Sequence, residues 1–245
     1  IRRNRGSDWQ EMNGARAVEL ASIGDESKVP AAQALVDQLT AQAPETTRQH
    51  YAASVAGAYP IVPEFLAGMP FCMRGKVATT DNRAPVRMVV DLTTSAGLNP
   101  NMLARRGAAL LALAMYLGTD RAVDVQLLIA IGGPSRSAFM ALVDVPSRPL
   151  ELATACFTMT TAAFPRVLGY GPLMEAGADG SWPWEIHPSV NAAKYAARMR
   201  GALELTGNDM YIPPAHIDDK MLTNPVAWLN ARVAEVNGAA VDETA

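Results

Sequence analysis

Cysteine is nearly absent from this 245-residue chain. Its two thiols, Cys72 and Cys156, lie far apart, which argues against a disulfide framework and against a CxxC-type zinc site; both read as buried thiols. Histidine is as scarce: His50, His187 and His216 are isolated and lack the HExxH or clustered spacing of a metal centre. No apolar run approaches the roughly 20 residues that span a bilayer. The longest, Gly107 to Leu117, follows Arg105 and Arg106, so no membrane partner and a cytoplasmic setting are expected. Phosphate-cradling loops of the G-x-x-x-x-G-K-[ST] or G-x-G-x-x-G type are missing, and no cofactor is expected. Ser135 and Ser137 flank Arg136 outside any G-x-S-x-G elbow, and no nucleophile–base set stands out, so a binding protein is expected rather than an enzyme. Aromatics make up only 6% of residues, and 17 prolines and 18 glycines interrupt the chain too often for long coiled coils or repeat arrays.

What remains is enough for a core. Hydrophobic residues reach 49% and charged ones 18%, a globular balance in a chain long enough to bury apolar surface without covalent staples. The net charge of −3 hides an asymmetry. Residues 71–148 carry nine basic and five acidic side chains, whereas residues 201–245 carry two and seven. A cationic centre and an acidic end follow, and 17 of the 21 basic residues are arginine, whose planar fork suits phosphate contacts.

Periodicity and punctuation give the elements. Ser7-Asp8-Trp9-Gln10 reads as a capping box for a helix that Gly24 closes, and a second helix runs from Pro30 to Gln42. The stretch from Tyr51 to Pro70 is broken by Gly57, Pro60, Pro63, Gly68 and Pro70. It reads as an ordered loop with one helical turn at 64–67, in which Ile61, Val62, Phe65 and Leu66 want burial. The clearest unit follows: a strand from Val86 to Asp91, a helix opened by Asn99-Pro100 and ended by Gly118, and an apolar strand from Val123 to Ile131. Strand, helix, strand is the signature of a parallel crossover. Gly132 to Ser135 then turns the chain into an antiparallel strand, Ala138 to Val145. A helix begins at Pro149 and stops before Pro165, Tyr170-Gly171-Pro172 reads as turn-rich, and further helices run from His187-Pro188 to about Leu205 and from Asn224-Pro225 to Val236. The expected class is α+β: one mixed β-sheet of at least three strands flanked by several helices, including one β-α-β crossover. It forms a single domain over 1–236, with 237–245 a mobile acidic C-terminal tail.

Two constellations carry chemistry. Arg74, Lys76, Arg83 and Arg87 lead into the first strand, and Arg105 and Arg106 sit early in the following helix, with only Asp81 and Asp91 opposing them between positions 71 and 110. Such a cluster neutralises phosphates, and Phe71, Tyr170, Trp182 or Trp184 would supply stacking surfaces, while Arg2, Arg3 and Arg5 form a basic arm. The predicted nucleic-acid site is therefore Arg74, Lys76, Arg83, Arg87, Arg105, Arg106, Trp182 and Trp184. The alternative is a cation site. Asp91-Leu92-Thr93-Thr94-Ser95 sits where a strand runs into a loop ahead of a helix, and Asp91, Thr93 and Ser95 would supply hard oxygen ligands for Mg²⁺. This Asp-x-Thr-x-Ser spacing resembles the metal-ion-dependent adhesion motif of von Willebrand factor A domains, Asp-x-Ser-x-Ser, and departs from it at Thr93. A protein-interaction module is what that resemblance implies.

A second resemblance spans roughly residues 50–160. The run Ser54 to Pro70, with Cys72-Met73-Arg74, Thr94-Ser95-Ala96-Gly97 and Arg105-Arg106-Gly107, resembles segments of uncharacterised tailed-bacteriophage proteins. Within that setting the chain is similar in size and arrangement to the Drc-type single-stranded-DNA-binding RNA polymerase cofactors of podovirus-like phages. The resemblance implies single-stranded DNA binding by a non-OB fold, no enzymatic activity, and a role in bringing a phage RNA polymerase to its template. Expected partners are then single-stranded DNA, a phage RNA polymerase and, through self-association, a homo-oligomer, in the cytoplasm of a bacterial host.

Overall fold

Val-rich segments buried on both faces organise the molecule. A computed structural model describes residues 11–42, 49–54, 59–60, 62–69, 73–78, 85–93, 98–119, 121–134, 137–146, 150–181, 191–207, 209–216 and 219–239. The chain divides into two compact units, residues 42–82 and the remainder.

In the larger unit, strand β4 (Val86–Asp91) pairs in parallel with β5 (Val123–Gly132), and helix α4 (Pro100–Leu117) connects them. This is the expected crossover. Strand β6 (Ala138–Val145) returns antiparallel to β5, from Val125 opposite Val145 to Gly132 opposite Ala138. A fourth strand, β7 (Met210–Ile212), adds in parallel to the other side of β4, giving one mixed four-stranded sheet of order β6-β5-β4-β7. At three residues, β7 is too short to leave a period in the sequence.

Each face of this sheet has its own cover. Met88, Val90, Val125, Leu127 and Ile129 form one core with α4 and with α5 (Leu152–Thr160), joined by Ala32 and Leu39 of α2 (Val29–Gln42). Val89, Leu128, Ala130 and Tyr211 lie on the other face, under Tyr195 and Met199 of α7 (Ala192–Ala202). Helix α4 starts as its sequence dictates: Pro100 occupies the first turn, and the Asn99 side chain accepts from Met102 N–H at 2.9 Å. Its Gly107 lies where a Cβ would overlap Met159 O and the Thr160 Cα, so the helix can approach α5 only without a side chain there.

Several boundaries differ from expectation. Helix α1 (Gly14–Ile23) is capped by Asn13, not by the Ser7 box, because Glu11 has a left-handed φ of 68° that no continuous helix passes through; residues 1–10 lie outside the described set. Tyr170-Gly171-Pro172 is not a turn: it opens α6 (Tyr170–Glu175), directly after a π-helical segment, Phe164–Gly169, with Leu173 buried beneath it. Short α8 (Lys220–Thr223) precedes α9 (Pro225–Ala239), which runs past the expected helix end at 236; Asn237 there accepts from Arg121 Nη2 at 2.7 Å. Residues 240–245 lie outside the described set.

The smaller unit is not the loop the prolines suggested. Strands β1 (Gln49–Ser54), β2 (Tyr59–Pro60) and β3 (Met73–Ala78) form an antiparallel sheet of order β1-β3-β2, and helix α3 (Val62–Leu66) stands near the expected helical turn. The ladder escapes a sequence reading because β1, Gln-His-Tyr-Ala-Ala-Ser, has no apolar–polar alternation and β2 is only two residues long. Val62, Phe65 and Leu66 are exposed, against the burial their hydrophobicity called for; Ile61 is outside the described residues.

Gly107→Ala is expected to lower stability by about 1–3 kcal/mol through overpacking at the α4–α5 contact. Urea unfolding measures it, and an unchanged midpoint would show that the helices do not meet there.

Candidate functional site

The carboxyl end of β4 is the point where the chain departs toward β5 on one side while β7 arrives on the other, the place at which open parallel sheets bind ligands. What the fold builds there is closed. Asp91 is 0% exposed and Thr93 4%. Asp91 Oδ1 accepts from Thr93 N–H at 2.8 Å, and Oδ2 accepts from the hydroxyls of Tyr211 at 2.8 Å and Tyr195 at 2.9 Å. Thr93 Oγ1 accepts from Ala130 N–H at 3.0 Å and donates to the Ala130 carbonyl at 3.3 Å, stitching the end of β4 to β5. Beneath the carboxylate, Arg106 Nη2 donates to the carbonyls of Asp91 at 3.0 Å and Pro213 at 2.7 Å, bridging the ends of β4 and β7. Arg166, also buried, donates from Nη2 to Leu98 O at 2.9 Å beside the start of α4.

The electrostatics follow from burial. Desolvation holds the Asp91 carboxyl above its ordinary range, opposed by hydrogen bonds from Thr93, Tyr211 and Tyr195. Burial and the neighbouring Asp91 charge push both tyrosine hydroxyls well up, so they stay protonated and donate. Arg106 is lowered by burial, with Asp219 and Asp91 acting in the opposite direction. Its Nε has no partner among the described residues.

This arrangement does not suit the Mg²⁺ alternative. The Asp91 oxygens face an N–H and two hydroxyl donors, the Thr93 hydroxyl is engaged with Ala130, and a guanidinium already lies against the strand ends. Ser95 lies outside the described residues, among which no group of three or more His, Cys, Asp or Glu is gathered for a metal. The chemistry on offer is cohesion: one buried acceptor ties together β4, β7 and α7.

The predicted cations part company. Arg106 points inward, 2% exposed, so it is a core brace and not a surface phosphate contact; its place on the sheet-facing side of α4 decides that. Arg105, one residue earlier, is exposed. Arg87 Nε donates to Gln126 Oε1 at 2.7 Å, and Gln126 Nε2 donates to Asp144 Oδ1 at 2.7 Å, along a groove of about 260 Å³ that Asp124 also lines. Arg87 is thus held among acids. Arg74 and Lys76 occupy alternate positions of β3, a strand the sequence reading did not recognise. Arg83, Trp182 and Trp184 lie outside the described residues, as do Phe71 and the basic arm.

Tyr195 and Tyr211 were not singled out from sequence. The signal for Tyr195 was its spacing of four from Met199 on a helix, together with the need of a buried hydroxyl for an acceptor. Among the described residues no helix is long and apolar enough to cross a membrane.

Asp91→Ala is expected to destabilise by about 1–3 kcal/mol for each donor it strands, and Asp91→Asn by less. The sign with pH follows from the raised carboxyl. Wild-type stability relative to Asp91→Asn is greatest below the unfolded carboxyl's ordinary value near 3.8 and falls as pH rises through the folded one. Denaturation of both proteins across pH 3–8 measures the difference, and parallel curves would contradict it.

Comparison with known proteins returns one family: a model described as a domain of unknown function, DUF7192, matches residues 1–224. No curated protein and no solved structure matches the chain. With the match covering nearly the whole sequence, the chain belongs to the DUF7192 family.

Proposed function

We propose that this protein binds single-stranded DNA, chiefly through phosphate contacts, as a phage-type accessory factor in viral transcription or replication rather than as an enzyme. The observation that carries this reading is the register of the small sheet. Tyr51 stands opposite Lys76, and Tyr59 and Ala53 stand opposite Arg74. Directly opposed residues of an antiparallel pair belong to the same face. Lys76 and Arg74 of the central strand therefore share one face with Tyr51 on one flanking strand and Tyr59 on the other. Stacking positions interleaved with cations suit single strands, because each base offers a π-face and each nucleotide a phosphate. Arg105, in the larger unit, is exposed and stands as a separate candidate cation. The bacterial cytoplasm and a phage RNA polymerase as partner belong to the same proposal and rest on the phage resemblance.

Fluorescence anisotropy with a labelled oligothymidine of roughly 16 nucleotides, titrated over a salt series, tests it. The affinity is expected to fall log-linearly with salt. Tyr51→Ala and Tyr59→Ala should each weaken binding by about 1–3 kcal/mol. Arg74→Gln and Lys76→Gln should each reduce the salt slope by about 0.7. No binding at low salt, or an affinity indifferent to salt, would sink the proposal.

A further inference from the structure

Strand β6 is the edge of the four-stranded sheet, eight residues long, and reads Ala-Phe-Met-Ala-Leu-Val-Asp-Val. Proteins blunt such edges with lysine, proline, bulges or a covering element, because an open row of N–H and C=O groups invites another strand. This strand has none of the first three: it carries no lysine or proline, and its pairing with β5 runs unbroken over eight residues. Among the described residues no other strand or loop supplies hydrogen bonds to its outer side. Met140 and Leu142 are 38% and 40% exposed, on the face that α7 covers only farther along the sheet.

We infer that β6 pairs with β6 of a second copy of this chain, antiparallel about a two-fold axis at Ala141, so that the sheet continues across both copies. The occupant is argued from the strand's self-complementarity. A two-fold axis normal to the sheet keeps each face matched to itself, so only residues of like parity stand opposite one another. With the axis at Ala141, Met140 meets Leu142 of the other copy, Phe139 meets Val143, and Asp144 meets Ala138. The two exposed apolar side chains of each copy then cover one another. The two Asp144 carboxylates stand six residues apart along the seam, roughly 20 Å. Each is already drawn back toward its own sheet by Gln126 Nε2 at 2.7 Å. Moving the axis to Leu142 sets Asp144 against Met140, and moving it to Met140 shortens the paired stretch to residues 138–142. Of the three, the central register combines a seven-residue pairing of the large hydrophobic residues with Asp144 set against nothing larger than Ala138. This inference is independent of the DNA-binding proposal.

Light scattering after size exclusion, at roughly 100 μM chain, a hundredfold above a micromolar dissociation constant, reads the outcome. The wild type is expected at twice the 26.1 kDa chain mass. The cationic double variant Met140→Lys/Leu142→Lys and the anionic double variant Met140→Glu/Leu142→Glu should each run at the single-chain mass, since like charges then face each other across the seam. An equimolar mixture of the two should recover the dimer. As a readout that needs no variant, amide protection across 138–145 should rise with wild-type concentration. A wild type that stays at single-chain mass, double variants that still dimerise, a mixture that stays apart, or protection indifferent to concentration would each overturn the inference.

Discussion

A carboxylate without access to water stands at the end of the central strand, and the larger unit is arranged around keeping it satisfied. Asp91 ends β4, and its acceptors are met by a backbone N–H from its own loop and by hydroxyls from two elements far away in sequence, Tyr195 on α7 and Tyr211 on β7. A buried polar group costs little when its partners are complete and several kcal/mol when they are not. The position of β7 beside β4 and of α7 across the sheet is therefore coupled to this one side chain. Arg106 reinforces the arrangement from below by joining the carbonyls at which β4 and the β7 exit would otherwise end unpaired.

This constraint bears on where function resides. The end of a parallel strand at a switch point is the usual position for a ligand, yet here the Asp91 carboxylate is met by the protein's own donors. The recognition proposed for this chain is placed elsewhere, on the small three-stranded sheet and along the open edge of β6.

The β4-α4-β5-β6 run was legible because each element declares itself locally. A β-branched segment buried on both faces, an Asn-Pro helix start, a Gly stop and a Gly-Gly-Pro turn are short-range signals, and they yielded the mixed sheet of an α+β fold. The smaller sheet was hidden because β1 lacks apolar–polar alternation and β2 spans two residues, and β7 because three residues carry no period. Among the candidate site residues, Arg105 and Arg106 could not be told apart from composition. Adjacent positions on a helix are separated by about 100°, so one met solvent and the other the sheet.

The amino-acid sequence by itself determined the crossover and the charge asymmetry, because these depend on neighbouring residues or on counts. Only the tertiary structure decided that Asp91 is a sealed acceptor rather than a cation ligand, that Arg106 is a brace, that Tyr51 and Tyr59 stand opposite Lys76 and Arg74, and that β6 lies at an edge. Each of those depends on partners dozens of positions away in the chain. Hydrogen-bond completion and strand register, not local propensity, choose such partners.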